Sequence, residues 1–151
     1  MLNLSKIVVG VDFGAPSLAA LDDAIELAAR LGAKVLVVHA FEDTVVTFPE
    51  DMGADSGMRE RLASAEATLR ALLADRADRG VALEPSLRVG KAWQQIEAVA
   101  EEVGAGLIVL GAANDRRGVL RALLGDNVTT TVVRTAHTPV LTIRSPEEAP
   151  T

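Results

Sequence analysis

The sequence predicts an α/β domain with a five-stranded parallel sheet. Three observations predict it. Five short runs rich in Val, Ile and Leu alternate with longer stretches, most of them helical in period, which is the pattern of right-handed βαβ units. Three of those runs are nearly continuously apolar, as strands covered on both faces are. The composition is 49% hydrophobic but only 3% aromatic, with no Tyr and one Trp, so the core between the layers is aliphatic.

Taken in order, residues 6–12 (KIVVGVD) form the first strand. Pro16 suits the first turn of the helix that follows, whose stripe is Leu18, Leu21, Ile25 and Ala28. Gly32 supplies the left-handed stop. Residues 34–40 (KVLVVHA) form the second strand. Residues 41–57 hold Pro49, Gly53 and Gly57 without clean periodicity and read as a mobile loop. Leu62, Leu69, Leu72 and Leu73 mark a second helix over 58–79, ending at Gly80. Residues 83–89 (LEPSLRV) alternate and contain Pro85, as an edge strand does. A third helix spans 92–103, with Ile96, Val99, Ala100 and Val103 on one face and Gly104 closing it. Residues 107–111 (LIVLG) are the fourth strand, and 112–118 a polar loop. A last helix opens near Asp126, and 139–144 (PVLTIR) are the fifth strand. Residues 145–151 read as a frayed tail. The expectation is one domain over 1–151, a Rossmann-like or flavodoxin-like three-layer sandwich.

At 151 residues such a domain buries roughly 68–70% of its unfolded surface and needs no disulfide or metal staple. The chain has no Cys, which excludes thiolate chemistry, a Cys zinc site and an iron–sulfur cluster. A net charge of −6 argues against phosphate-backbone binding, and scarce aromatics argue against base-stacking platforms. No nucleic-acid partner is expected. The N-terminus lacks a signal-peptide pattern, and no apolar run approaches the roughly 18 residues of a membrane span. The expected location is the cytoplasm.

Familiar motifs fail in detail. Gly90-Lys91 is followed by Ala92 where a P-loop has Ser or Thr. Gly104-x-Gly106 precedes its strand, and Val109 stands at the third glycine position. G-x-S-x-G and H-E-x-x-H are absent. His39 and His137 have no metal-like spacing. A receiver-type phosphoacceptor fails because the third strand ends in Val89-Gly90. In a doubly wound sheet, ligands sit beyond the carboxyl ends of the strands where strand order reverses. That rule points to Asp12-Phe13-Gly14, His39-Ala40-Phe41 and the loop after Gly111.

With these residues in view, the chain resembles the universal stress protein family over essentially its whole length. The resemblance rests on an ordered set: Val9-Gly10-Val11-Asp12-Phe13, Val37-Val38-His39-Ala40, Val89-Gly90-Lys91-Ala92, Gly106-Leu107-Ile108-Val109-Leu110-Gly111 and Thr138-Pro139-Val140-Leu141-Thr142-Ile143. It implies the strand order 3-2-1-4-5 and a homodimer formed through strand five. The apolar residues there, Val140, Leu141, Thr142 and Ile143, would be hazardous as a bare edge. It also implies an ATP or AMP cleft, with Mg²⁺, at the ends of strands 1, 2 and 4. Asp12 would face the adenosine, Ala40 would meet adenine through its backbone, and Asn127 would lie at the phosphate end.

The family's nucleotide motif is Gly, two residues, Gly, nine residues, Gly, then Ser or Thr. Gly111 matches the first position, but Asn114 stands at the second. The next glycine is Gly125, after ten residues instead of nine (125 − 114 − 1 = 10), and Asp126 follows where a hydroxyl is expected. Asn tolerates the left-handed region but adds a side chain beside the phosphate. Asp caps a helix well, yet it only accepts hydrogen bonds when ionised. At about 4–5 Å and an effective dielectric near 20, its charge repels a phosphate charge by roughly 3–4 kcal/mol. Arg116 and Arg117 are either a basic loop that binds phosphate or a partner, or a solvated loop.

The remaining signals read as structural. His39 reads as a satisfied core histidine and His137 as a loop residue. Trp93 reads as packing, with a cleft wall as the alternative. Thr129, Thr130 and Thr131 read as sheet packing or back-bonding to the preceding turn. The sequence therefore implies a dimeric stress-response binding module, not an enzyme, with weak or lost adenine-nucleotide binding. The alternative is an ATP- or AMP-binding member. A small hydrolase ranks last, because no nucleophile–base pair supports it.

Overall fold

The computed structural model describes residues 2–42, 55–112 and 128–144. The described residues form an α/β sandwich of five parallel strands and four α-helices. In chain order these are β1 (Lys6–Gly10), α1 (Ala15–Leu31), β2 (Lys34–Phe41), α2 (Asp55–Ala74), β3 (Leu83–Val89), α3 (Ala92–Val103), β4 (Leu107–Ala112), α4 (Val128–Thr135) and β5 (Val140–Arg144). The sheet order is β3-β2-β1-β4-β5, as the resemblance implied. All pairings are parallel, with β1 set in register against β2 (Val8↔Leu36) and β4 (Val8↔Ile108).

The period-2 geometry of a strand divides the core in two. Ile7, Val9, Val35, Val37 and Val109 pack against Leu21 and Ile25 of α1 and Leu69 and Leu73 of α2. Val8, Leu36, Val38, Ile108 and Leu110 pack against Ile96 and Val99 of α3 and Val132 of α4. The large, fully buried side chains are all Ile, Leu or Val, which matches the aliphatic composition. Each contributes about 1.5–3 kcal/mol by burial. An exposed ion pair contributes only about 0.2–1 kcal/mol. The two aliphatic interfaces therefore hold the layers together, and surface charge plays a minor part.

The element boundaries follow local chemistry. Gly32 and Gly104 close α1 and α3 in the left-handed region, at φ 67° and 66°. β3 lies at one edge of the sheet, where Pro85 is tolerated. β1 and α2 differ from the sequence reading by more than one residue, and β2, β4 and β5 by a single residue at one end. β1 stops at Gly10 and not at Asp12, because the chain turns at Phe13, whose φ is +65°. α2 covers 55–74 instead of 58–79. Arg76 ends it: its guanidinium takes the Leu72 carbonyl at 3.1 Å, and a short 3₁₀ turn follows at Ala77–Arg79. The expected 145–151 tail and most of the 41–57 loop lie outside the described residues.

Arg76 also joins this turn to α1. Asp22 accepts from Arg76 Nε and from Arg79 Nη1, each at 2.8 Å. Burial works to raise the Asp22 carboxyl, but the two guanidiniums outweigh it and hold its pKa below the usual aspartate value. The folded-state value is thus lower than the unfolded one. The pair's stabilisation is complete above the ordinary value of 3.8 and is lost as pH falls through the folded value. Asp22→Asn should lower stability near neutral pH by about 0.2–1 kcal/mol, the range of partly exposed pairs. In urea titrations the deficit should shrink to nothing in acid. A deficit that persists undiminished in strong acid would contradict this assignment.

Candidate functional site

β1 pairs with β2 on one side and β4 on the other, and the connections leaving β1 (to β2) and β4 (to β5) run in opposite directions. This is the switch point where an open α/β sheet forms a crevice. A cleft of about 110 Å³ lies there. Its floor is apolar, formed by Val11, Val38, Ile96 and Leu110, and its rim carries Asp12, Ala40, Gly111 and Thr129. Three of the residues expected at the site, Asp12, Ala40 and Gly111, are therefore brought together. Asn114, Arg116, Arg117, Gly125, Asp126 and Asn127 lie outside the described residues.

Asp12 is fixed from several directions. Its Oδ1 accepts from the Gly14 N–H and from the Ser17 hydroxyl, both at 2.8 Å. Its own N–H donates to Ser17 Oγ at 3.2 Å. The first contact is an Asx turn, and it accompanies the left-handed Phe13. Among the described residues no hydrogen bond reaches Oδ2, and Asp12 is exposed at the rim. Among the described residues the cleft thus presents one carboxylate oxygen without a hydrogen-bond partner, at the rim of an apolar floor. That oxygen accepts from hydroxyl or amine donors and repels phosphate.

Gly111 has a packing role that its place in the motif hides. A Cβ there would fall 2.3 Å from the Pro16 carbonyl oxygen and 2.9 Å from the Ser17 nitrogen. The first turn of α1 approaches β4 so closely that only glycine fits. Its carbonyl accepts from Thr129 Oγ1 at 3.0 Å, which ties the start of α4 to the same strand end. This accounts for one member of the threonine run. Thr131 instead offers its carbonyl to Thr135 Oγ1 at 2.8 Å, and Thr135 also meets Glu97 of α3.

Ser17 and Thr129 were not singled out as site residues by sequence reasoning. A signal existed for Ser17: an Asp-x-Gly turn with a hydroxyl residue in the next helical turn. Trp93 packs on the α3/α4 core cluster, as the structural reading expected. His137 is exposed in the loop before β5. His39 is half-buried, and its Nδ1 lies 2.8 Å from the Val11 carbonyl oxygen. Among the described residues no group of three His, Asp or Glu is placed to hold a metal ion. No described helix is long and apolar enough to cross a membrane.

A covered parallel sheet in 3-2-1-4-5 order, with an apolar cleft and a carboxylate rim at its switch point, defines a flavodoxin-like α/β domain. Within that class the chain belongs to the universal stress protein family, whose model matches residues 3–144. A solved structure of a member from Burkholderia pseudomallei is similar at 30% identity and TM-score 0.65, over 92% of this chain and 95% of that one. A universal stress protein in complex with cAMP is similar at 27% identity and TM-score 0.68, over 92% and 96%. One from Archaeoglobus fulgidus in complex with dAMP is similar at 25% identity and TM-score 0.63, over 94% and 98%. Among curated proteins, none matches the chain.

Gly111→Ala should destabilise the fold by about 1–3 kcal/mol, the usual range for overpacking, because backbone atoms of α1 must move. Urea unfolding measures it. A neutral effect would show that the approach of α1 to β4 is not tight.

Proposed function

We propose that this universal stress protein is a stress-response binding module, not an enzyme, whose cleft takes the nucleoside end of an adenine nucleotide and holds the phosphate end weakly. The observation that carries the reading is the fixed Asp12 carboxylate at the rim of an apolar floor, with no described residue bonded to Oδ2. An aromatic base suits the floor, and a ribose hydroxyl or base amine suits the carboxylate. A phosphate does not, so it belongs at the other end of the cleft, toward the start of α4. In the segment that the family resemblance assigns to the phosphates, the sequence has Asn114, the longer spacing to Gly125, and Asp126 in place of a hydroxyl. These changes weigh most against a triphosphate. Arg116 and Arg117 are the candidates to offset them, and Mg²⁺ would act with them.

A second reading, undiminished ATP or AMP binding, has support from the relatives solved with cAMP and dAMP. Calorimetry separates the two. The expected result is no ATP released on denaturation and ATP–Mg²⁺ affinity weaker than micromolar. Asp126→Ser should raise that affinity tenfold or more. Micromolar binding by the natural sequence would support the second reading, and no heat at millimolar nucleotide would defeat both.

The same reading includes a homodimer. β5 is an edge strand, and Leu141 on it and Val133 on α4 are both exposed apolar side chains. Antiparallel pairing of Val140, Leu141, Thr142 and Ile143 across a twofold axis would cover that edge. Light scattering at micromolar concentration should give the mass of two chains, and a monomer would refute the pairing.

A further inference from the structure

We propose that His39 is a positioning residue for the cleft: from the cleft wall, it fixes the backbone that carries Asp12. The proposal rests on the nucleotide reading and adds to it how the ligand-facing carboxylate is aimed. Side chains alternate along β2. Val35 and Val37 face α1 and α2, whereas Leu36 and Val38 face α3 and α4. His39 continues the first set, and Ala40 the second. The His39 ring meets the Phe13 ring at a centroid distance of 4.5 Å and an interplanar angle of 39°. Phe13 in turn packs against the α1/α2 core cluster. His39 thus lines the cleft while its ring rests on Phe13.

Its bond specifies the role. The Val11 carbonyl can only accept, so His39 Nδ1, 2.8 Å away, carries the proton and donates. Neutral and charged imidazole can both make this bond. Val11 is also held through its N–H, which donates to the Val38 carbonyl at 2.8 Å. Just beyond it, Phe13 sits at φ +65°, a rare conformation for an aromatic residue. Two restraints bracket it: the Asx turn from Asp12 to Gly14 on one side, and the bond and ring contact from His39 on the other. Without the second restraint, Phe13 can relax and the carboxylate loses its aim.

His39→Leu and His39→Asn test this, because the Asn side-chain N–H can replace the Nδ1 donor and Leu cannot. The first readout needs no ligand: hydrogen exchange of the Gly14 amide, which donates to Asp12 Oδ1. The second is AMP affinity by NMR titration. His39→Leu should speed Gly14 exchange tenfold or more and weaken AMP binding by a similar factor. His39→Asn should restore both to within about threefold of the natural protein. Unchanged Gly14 protection in His39→Leu overturns the proposal. So does a loss that His39→Asn fails to restore, since that would be packing alone. If His39→Leu does not fold, native Gly14 protection in His39→Asn remains the required result, and its loss overturns the proposal. If the natural protein binds no AMP while Gly14 responds as stated, the nucleotide reading fails and the positioning role stands.

Discussion

β1 is enclosed on every side. β2 and β4 pair with its two edges, and helices cover both faces, so Ile7, Val8 and Val9 keep no exposed surface. Each of these residues must be apolar, and each must find a helix on its own side. α1 and α2 supply one side and α3 and α4 the other. The connections therefore leave β1 and β4 in opposite directions, and a crevice opens beyond their ends. The cleft is a consequence of burying the central strand completely.

Closing the layers around β1 also sets which residues line the crevice. The first turn of α1 comes within contact of β4 at Gly111, and the same turn carries Ser17 to the Asp12 carboxylate. Tight packing and ligand-facing chemistry are thus joined in one short segment. The acidic rim gives the net charge of −6 a local consequence. In the proposed reading, one carboxylate at the nucleoside end and Asp126 in the segment expected at the phosphate end favour a neutral base and sugar over a triphosphate.

Much of the fold was legible in the sequence because burial on both faces leaves a continuous apolar run. β3 and α3 begin and end where the pattern placed them. The end of β1 was not legible, because Val11 extends the apolar run while the hydrogen bonds of Asp12 turn the chain. The end of α2 depended on Arg76 finding Leu72 and Asp22 across the fold, a contact no local period records. In the site, Asp12, Ala40 and Gly111 were found through the switch-point rule and the family resemblance. Ser17 and Thr129 were missed as ligand-side residues because a hydroxyl in a helix has many ordinary uses. His39 was read as core, and its bond to Val11 could not be seen without knowing that strands one and two are neighbours.

The most direct test of the account is to follow backbone amide shifts while AMP is added to the ¹⁵N-labelled protein. The account predicts saturable shifts concentrated at Gly10, Asp12, Gly14, Ala40, Gly111 and Thr129. The groove between α2 and β3, near Arg70 and Val81, should stay unchanged. Shifts centred on that groove, or none at millimolar AMP, would contradict it.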